Sequence, residues 1–304
     1  MGRSVRIRIS ARKSDLARLQ AIQVGRALQN INSKIEIEYY FRESLGDKNL
    51  TEPLWKIPEK GVFTEDFLED LLKGSTDMVV HSWKDLPTAE RTKTMIACTL
   101  PRADQRDLLL IKKTSWGKAK IQLLSSSPRR EYNLNSLLPD LIPWDVQELK
   151  FSSIRGNIQT RVRKLIEDSQ SDGLILAKAA LDRLLAVEGK EFEQTKNFLQ
   201  QSLDLFHYMV LPLSANPCAA AQGALAIEIK SDREDLKKIL ASINCEKTFK
   251  EASIERTLLQ KFGGGCHLAL GMSTIITEDY QLTFVRGQNP EGAAVEKNEQ
   301  RSTD

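Results

Sequence analysis

A cysteine follows three consecutive glycines near the end of the chain. Gly263, Gly264 and Gly265 directly precede Cys266, and a loop without side chains lets a bulky group approach the backbone closely. The loop follows a predicted helix, whose negative C-terminal dipole disfavours a thiolate. This setting favours a thiol that reacts once with a strong electrophile and then serves as an anchor, rather than an activated nucleophile. The alternative is an inert cysteine buried as a small apolar residue.

A second candidate is the Lys84 and Asp85 pair, which directly follows the apolar strand DMVVHS. In α/β proteins, ligands bind beyond the carboxyl ends of the strands, so this turn is well placed for chemistry. A carboxylate beside a lysine stays ionised and can stabilise a cation on a substrate or relay a proton. Asp85 and Pro87 can also form a turn without any function, so a structural role remains an alternative.

Basic residues recur where predicted strands turn into helices. Planar guanidinium groups favour carboxylate or phosphate ligands without choosing between the two, and nearby serine hydroxyls and helix N-termini would add donors. One such arginine alone would be an ordinary surface residue, but the repeated position indicates a polyanionic ligand. The set comprises Arg12, Ser14, Lys56, Lys60, Ser125, Ser126, Ser127, Arg129, Arg130, Arg155, Arg161 and Arg183.

Hydrophobic periodicity predicts the elements that must position these groups. VRIRIS and KIEIEYYF alternate as strands with a helix-like stretch between them. A second unit of strands and helices begins near Arg106, and a further helix from Glu246 leads into the glycine loop. This alternation predicts an α/β protein with parallel sheets and covering helices. The final segment, RGQNPEGAAVEKNEQRSTD, loses apolar periodicity, so we expect a disordered tail.

Composition excludes several classes of protein. A chain of 304 residues exceeds a usual single core, so two or three domains with a cleft between them are expected. No apolar stretch is long enough to span a bilayer, and MGRSVRIRIS lacks the apolar segment of a signal peptide, so we expect a cytoplasmic protein. A net charge of +3 is too small for general nucleic-acid binding. The four cysteines are widely spaced, which indicates free thiols and no metal site.

Several segments together resemble the porphobilinogen deaminase family, in the same order and over nearly the whole chain from Arg6 to about Gly287. They are RISARKSDLARLQA, the SLGD and KIPEKGVF pair, DMVVHSWKDLPT, SSSPRR, RGNIQTRVRKL, LILAKAALDRL, AAAQGALAIE and GGGCHLALG. The resemblance implies three α/β domains: two built like periplasmic binding proteins around a cleft, and a small α+β domain carrying the cofactor cysteine loop. On this chain it implies a first domain of residues 1–103 and 218–242, a second of 104–217 and a third of 243–304.

The resemblance also implies a reaction. Members of the family are transferases that join four porphobilinogen molecules head to tail on a covalently bound dipyrromethane primer, releasing ammonia. Hydrolysis then frees hydroxymethylbilane for tetrapyrrole (haem) biosynthesis. By this resemblance Cys266 holds the dipyrromethane through a thioether, and Asp85 is the catalytic aspartate that stabilises an azafulvene-like cation.

The remaining site residues implied by the resemblance bind the acetate and propionate groups of the pyrrole rings. The matching arginines are Arg12, Arg129, Arg130, Arg155, Arg161 and Arg183. The accompanying polar contacts are Ser14, Gln20, Lys84, Ser125, Ser126, Ser127 and Asn157, and an active-site loop carries Lys56, Lys60 and Phe63.

Two other functions compete with this interpretation. A non-catalytic small-anion binding protein of the same cleft fold would use the arginines, but it has no use for a glycine-rich cysteine loop. A thiol hydrolase needs a polarised histidine, and His267 beside Cys266 would point to the opposite face of a strand. We therefore expect a monomeric enzyme that acts on porphobilinogen, has no nucleic-acid or membrane partner and hands its product to uroporphyrinogen III synthase.

Overall fold

The computed structural model describes residues 5–43, 65–89, 91–265 and 268–303. Four predicted site residues, Lys56, Lys60, Phe63 and Cys266, lie outside these described residues. The helices are α1 (Asp15–Ile31), α2 (Glu65–Lys73), α3 (Pro128–Leu141), α4 (Ile158–Glu167), α5 (Lys178–Ala186), α6 (Glu193–Leu203), α7 (Glu234–Ala241) and α8 (Glu246–Lys261). The strands are β1 (Val5–Arg12), β2 (Ile35–Arg42), β3 (Met78–Ser82), β4 (Thr94–Cys98), β5 (Asp107–Lys112), β6 (Lys120–Leu124), β7 (Glu148–Ser152), β8 (Gly173–Ala177), β9 (Phe206–Val210), β10 (Leu225–Lys230), β11 (Leu270–Ile276), β12 (Tyr280–Gln288) and β13 (Ala294–Ser302).

The first sheet has the strand order β2-β1-β3-β10-β4. Its alternating apolar residues pack against α1: Ile7 and Ile9 of β1 meet Val24 and Leu28 of the helix in one buried cluster. This is the strand and helix pairing that the periodicity of the opening residues predicts. Arg12 and Ser14 therefore lie at the edge of the sheet where β1 ends.

The second sheet has the order β7-β6-β8-β5-β9 and buried clusters on both faces. The prediction of parallel sheets was wrong in part, because both sheets are mixed: β10 runs antiparallel to β3 and β4, and β5 runs antiparallel to β8 and β9. The chain crosses between the sheets twice, through residues 99–106 and 211–224. Strand direction depends on these crossings, which local periodicity does not encode.

The third sheet is antiparallel, with the order β11-β12-β13, and α8 packs against it through Leu258, Leu259 and Phe262. Contrary to the expectation of a disordered tail, Ala294–Ser302 forms β13, which pairs along its whole length with β12. Backbone hydrogen bonding to a neighbouring strand stabilises this polar, exposed segment without an apolar face. No helix in the described ranges is long and apolar enough to cross a membrane.

Candidate active site

A cavity of about 630 Å³ lies between the first two sheets, where the carboxyl ends of β1 and β3 meet α4 and the N-terminal end of α5. Ten of the residues that the sequence predicted for the site line it. They are Arg12, Ser14, Gln20, Lys84, Asp85, Arg130, Arg155, Asn157, Arg161 and Arg183. These residues range from Arg12 to Arg183 along the chain, so only the packing of the two sheets brings them together.

The turn after β3 presents Asp85 to the cavity. A single helical turn, Trp83–Asp85, follows the strand, and Trp83 is buried against the ring of Phe249 at 5.2 Å between centroids. Arg256 of α8 donates hydrogen bonds to the carbonyl oxygens of Trp83 and Leu86, each at 3.1 Å. The third unit of the fold therefore holds the turn on its buried side, while the exposed Asp85 side chain faces the cavity.

Lys84 precedes Asp85 and contacts the segment of residues 211–224, which leads from the second sheet back to the first. Its Nζ donates to Oε1 of Gln222 at 3.1 Å. Burial lowers the pKa of Lys84, and the nearby carboxylates of Asp85 and Asp107 oppose this shift. The positive charge of Lys84 therefore attracts the carboxylate of Asp85 on the same turn.

The cavity carries an excess of positive charge. Its cationic side chains are those of Arg12, Lys13, Lys84, Arg130, Arg155, Arg161, Lys164 and Arg183, whereas its carboxylates in the described residues are those of Asp15, Glu43 and Asp85. Burial, together with Arg130 and Arg155, lowers the pKa of Arg161 to about 10. Burial likewise lowers the pKa of Arg183 to about 10. A negatively charged ligand would offset part of the cost of burying these two charges.

Backbone carbonyls hold several of these arginines in place. Arg161 donates from Nε to the oxygen of Gly156 at 2.8 Å, and Arg183 donates from Nη2 to the oxygen of Gly223 at 2.7 Å. Neutral carbonyl groups orient the guanidinium groups without cancelling their charge. The arginines are thereby preorganised for an anion that carries several carboxylates or phosphates.

Arg130 offers a donor that the protein itself does not use. Its Nη2 donates to Asp107 at 2.7 Å and its Nη1 to the oxygen of Ile175 at 3.1 Å. Its buried Nε, in contrast, has no hydrogen-bond partner among the described residues. An unsatisfied buried donor is costly, so Arg130 is held in place at some expense of stability.

Four other predicted residues do not line this cavity. Ser125 accepts from the backbone N–H of Ser127 at 3.3 Å, and Ser126 hydrogen-bonds Ile154. Ser127 caps α3 by accepting from the backbone N–H of Arg130 at 3.4 Å. The buried Arg129 donates to Asp107 and to the oxygen of Pro217, both at 2.7 Å. Each of these side chains thus has a partner within the protein.

Sequence reasoning missed two buried residues: Gln222, which lines the cavity, and Asp107, which contacts Arg130 and Gln222. Asp107 precedes the apolar run LLLI, and a polar residue at the start of a strand carries no signal of its own. Gln222 stands in a segment that resembles the family, but its residue type alone suggests no chemistry. Their contacts with Arg130 and Lys84 are visible only in three dimensions.

The fold and the cavity define a class: a mixed α/β protein with a cleft of net positive charge between two sheets and a carboxylate just after a strand. Residues 7–238 match a family model described as "Porphobilinogen deaminase, dipyromethane cofactor binding domain". The chain belongs to the porphobilinogen deaminase family.

Named relatives cover most of the chain. A "Probable porphobilinogen deaminase" of Methanocaldococcus jannaschii is 34% identical over 283 residues, which are 91% of this chain and 85% of the relative. The porphobilinogen deaminase of Syntrophomonas wolfei is 35% identical over 266 residues, or 86% of this chain and 78% of the relative. That of Prochlorococcus marinus subsp. pastoris is 31% identical over 296 residues, or 97% of this chain and 87% of the relative.

Proposed function

We propose that this chain is a porphobilinogen deaminase. It joins four porphobilinogen molecules head to tail on a covalently bound dipyrromethane primer, with release of ammonia, and hydrolysis frees hydroxymethylbilane. The observation that carries this proposal is the cavity itself, in which Asp85 and five arginines line the same walls and cationic side chains outnumber carboxylates. Membership of the family supports it.

The residues of the cavity fit the dipyrromethane group. Each of its two rings carries an acetate and a propionate, and the cavity is lined by five arginines that can bind such carboxylates. The residues that would hold these carboxylates are Arg12, Arg130, Arg155, Arg161 and Arg183, with Ser14 and Asn157 as neutral donors. When bound, the primer supplies the pyrrole carbon to which the first substrate is joined.

Asp85 performs the electrostatic part of the reaction in this proposal. Loss of ammonia from porphobilinogen leaves positive charge on the substrate, and a fixed carboxylate at the cavity wall stabilises that charge. Lys84 and Arg161 lie close enough to interact with the Asp85 carboxylate. A carboxylate fixed at this place can stabilise a cation and exchange a proton with the substrate.

The glycine loop supports Cys266 as the attachment point, although Cys266 lies outside the described residues and outside the range of the family match. Gly264 has a φ of +50°, and a Cβ there would come within 2.3 Å of Oγ1 of Thr88. Thr88 belongs to the same turn as Asp85. The backbone that leads to Cys266 therefore runs directly against the turn that carries the proposed catalytic carboxylate.

The division into domains is part of the same proposal. Residues 1–103 and 218–242 would form the first domain, 104–217 the second and 243–304 the third, with the first two built like periplasmic binding proteins. In support, every strand of the first sheet falls in the first range, every strand of the second sheet in the second, and β11, β12 and β13 in the third. The third domain would carry the cofactor loop, directly after α8.

The cellular setting rests on the family resemblance alone. We propose a cytoplasmic monomer that hands hydroxymethylbilane to uroporphyrinogen III synthase. Sedimentation of the purified protein, alone and mixed with that enzyme, would test the oligomeric state and the hand-over.

Intact-mass spectrometry tests the function directly. We expect the purified protein, or the protein after incubation with porphobilinogen, to carry the added mass of one dipyrromethane. Cys266→Ser should carry none, whereas Cys245→Ser should carry it fully, because Cys245 is a half-buried free thiol at the start of α8. A wild-type chain that stays unmodified after incubation would refute the proposed function.

A further inference from the structure

Asp107 is a buried carboxylate between the first two sheets. It is the first residue of β5, and its side chain is fully buried. It accepts hydrogen bonds from Arg129 Nη2 and Arg130 Nη2, both at 2.7 Å, from Gln222 Nε2 at 2.9 Å and from Asn216 Nδ2 at 3.0 Å. Although burial opposes ionisation, the two guanidinium groups and Gln222 hold the pKa of Asp107 well below its ordinary range.

One branch of this network reaches the cavity through Arg130. The guanidinium group is planar, and Asp107 and the oxygen of Ile175 each bind one of its terminal nitrogens. Two fixed nitrogens define the plane of the group. Asp107 therefore sets the orientation of this guanidinium group, which belongs to a side chain that lines the cavity.

A second branch reaches Lys84 through Gln222. The amide nitrogen of Gln222 donates to the oxygen of Gln105 at 2.8 Å and to Asp107 at 2.9 Å, so both of its hydrogens are used. The amide oxygen must then point the other way, where it accepts from Nζ of Lys84 at 3.1 Å. Because Lys84 precedes Asp85, this branch acts on the turn that carries the proposed catalytic carboxylate.

The other two donors to Asp107 lie away from the cavity. Asn216 and Arg129 are not part of the cavity lining, and Arg129 also donates to Asn216 and to the oxygen of Pro217. The network thus contains its own control: Gln222 and Asn216 each donate one hydrogen bond to the same carboxylate, but only Gln222 connects it to Lys84.

We propose that Asp107 is a positioning residue for the condensation reaction, which orients Arg130 directly and Lys84 through Gln222. This inference rests on the proposed function. Asp107 itself touches no ligand, since its oxygens are occupied by the protein and its side chain is fully buried. It acts by holding two cations of the cavity in fixed directions.

Two variants of matched shape separate positioning from simple stability. Gln222→Met keeps the length of the side chain but removes both its donor and its acceptor, and Asn216→Leu does the same on the other branch. We expect kcat to fall by about tenfold for Gln222→Met, because this variant loses its hydrogen bonds to Lys84 and Asp107. Asn216→Leu should retain the wild-type kcat.

The pH profile gives a second readout, which a structural role alone would not move. Loss of the Gln222 oxygen removes a hydrogen-bond acceptor from protonated Lys84, which lowers the pKa of Lys84. In a plot of kcat against pH, the decrease at high pH should therefore begin about one pH unit lower for Gln222→Met. The charged groups that face Lys84 are Asp85, Arg130, Asp107 and Arg129, and all remain in both variants. The decrease at high pH for Asn216→Leu should not move.

Intact mass and thermal unfolding complete the experiment. We expect both variants to carry the primer and to lose similar amounts of stability. If both variants change kcat and the pH profile equally, or if neither does, Asp107 has only a structural role and the inference is overturned. A wild-type protein that forms no hydroxymethylbilane would instead overturn the proposed function, and this inference with it.

Discussion

Asp15 at the start of α1 accepts a hydrogen bond from Gln159 of α4 across the mouth of the cleft, at 2.8 Å. The same carboxylate oxygen accepts from Oγ1 of Thr195 at 2.6 Å. The partners belong to the units built on the first and second sheets, and Asp15 also lines the cavity. This contact joins the two walls of the cleft.

Loss of the contact should favour an open cleft. Gln159→Met keeps the side-chain length but removes the donor, and one hydrogen bond to a charged group contributes about 2 kcal/mol. We expect the population of open molecules to rise by about tenfold or more, seen as faster amide hydrogen exchange in α1 and α4. Gln147→Met is the control, because the Gln147 side chain is exposed and donates a hydrogen bond to the nearby Asp145. Equal exchange in both variants would show that the contact does not hold the cleft closed.

Removal of the charge at Asp85 should impair catalysis without removing the primer. Asp85→Asn keeps the shape of the side chain but cannot stabilise a cation, so we expect the rate of bilane formation to fall by about 100-fold or more. Intact mass should still show dipyrromethane on the variant when the primer is supplied preassembled. Asp145→Asn, an exposed surface change, is the control. A near-normal rate for Asp85→Asn would refute the role of Asp85.

Two arginines on α4 should behave differently although they are only two positions apart. Arg161 lines the cavity, whereas Arg163 is exposed and stacks on Phe198, with its guanidinium carbon 5.0 Å from the ring centroid. Arg161→Gln should raise the KM for porphobilinogen or reduce primer loading by about tenfold, because one charge-assisted hydrogen bond to a carboxylate is lost. Arg163→Gln should change neither quantity. Steady-state kinetics and intact mass measure both, and equal effects would argue against carboxylate binding by Arg161.

The free energy of unfolding should depend on pH through Glu228, which lies in the first sheet. This carboxylate on β10 is buried and accepts from His81 at 3.0 Å, Arg91 at 2.7 Å and Thr94 at 2.6 Å. Burial opposes ionisation, but these partners, His81 first, lower its pKa from 4.5 to about 2. A lowered folded-state pKa contributes stability that is complete above pH 4.5 and is lost as the pH falls towards 2.

Denaturant unfolding of the wild type and Glu228→Gln between pH 7 and pH 2 tests this expectation. At pH 7 the variant should be less stable by up to about 3 kcal/mol, the value that corresponds to the shift in pKa. The difference should shrink as the pH falls from 4.5 towards 2. Two parallel stability curves over that range would contradict the assignment.

The local sequence was sufficient to predict the first strands and helix and part of the candidate site. Alternating apolar residues predicted β1 and β2, and α1 lies between them as expected. The position of Asp85 after a buried strand likewise predicted its place at the edge of a sheet. Both results depend on neighbouring residues, because the side-chain periods of a strand and a helix are properties of the local backbone.

What the sequence by itself determined is therefore which segments form strands and helices, which face of each is apolar and which residues follow the strand ends. Only the tertiary structure decided that Arg130 lines the cavity while its neighbour Arg129 is buried against Pro217. It also decided that Asp107 joins Arg130 to Gln222, and that β10 returns antiparallel to the first sheet. These relationships depend on which elements meet, and residues on separate elements carry no local signal of that meeting.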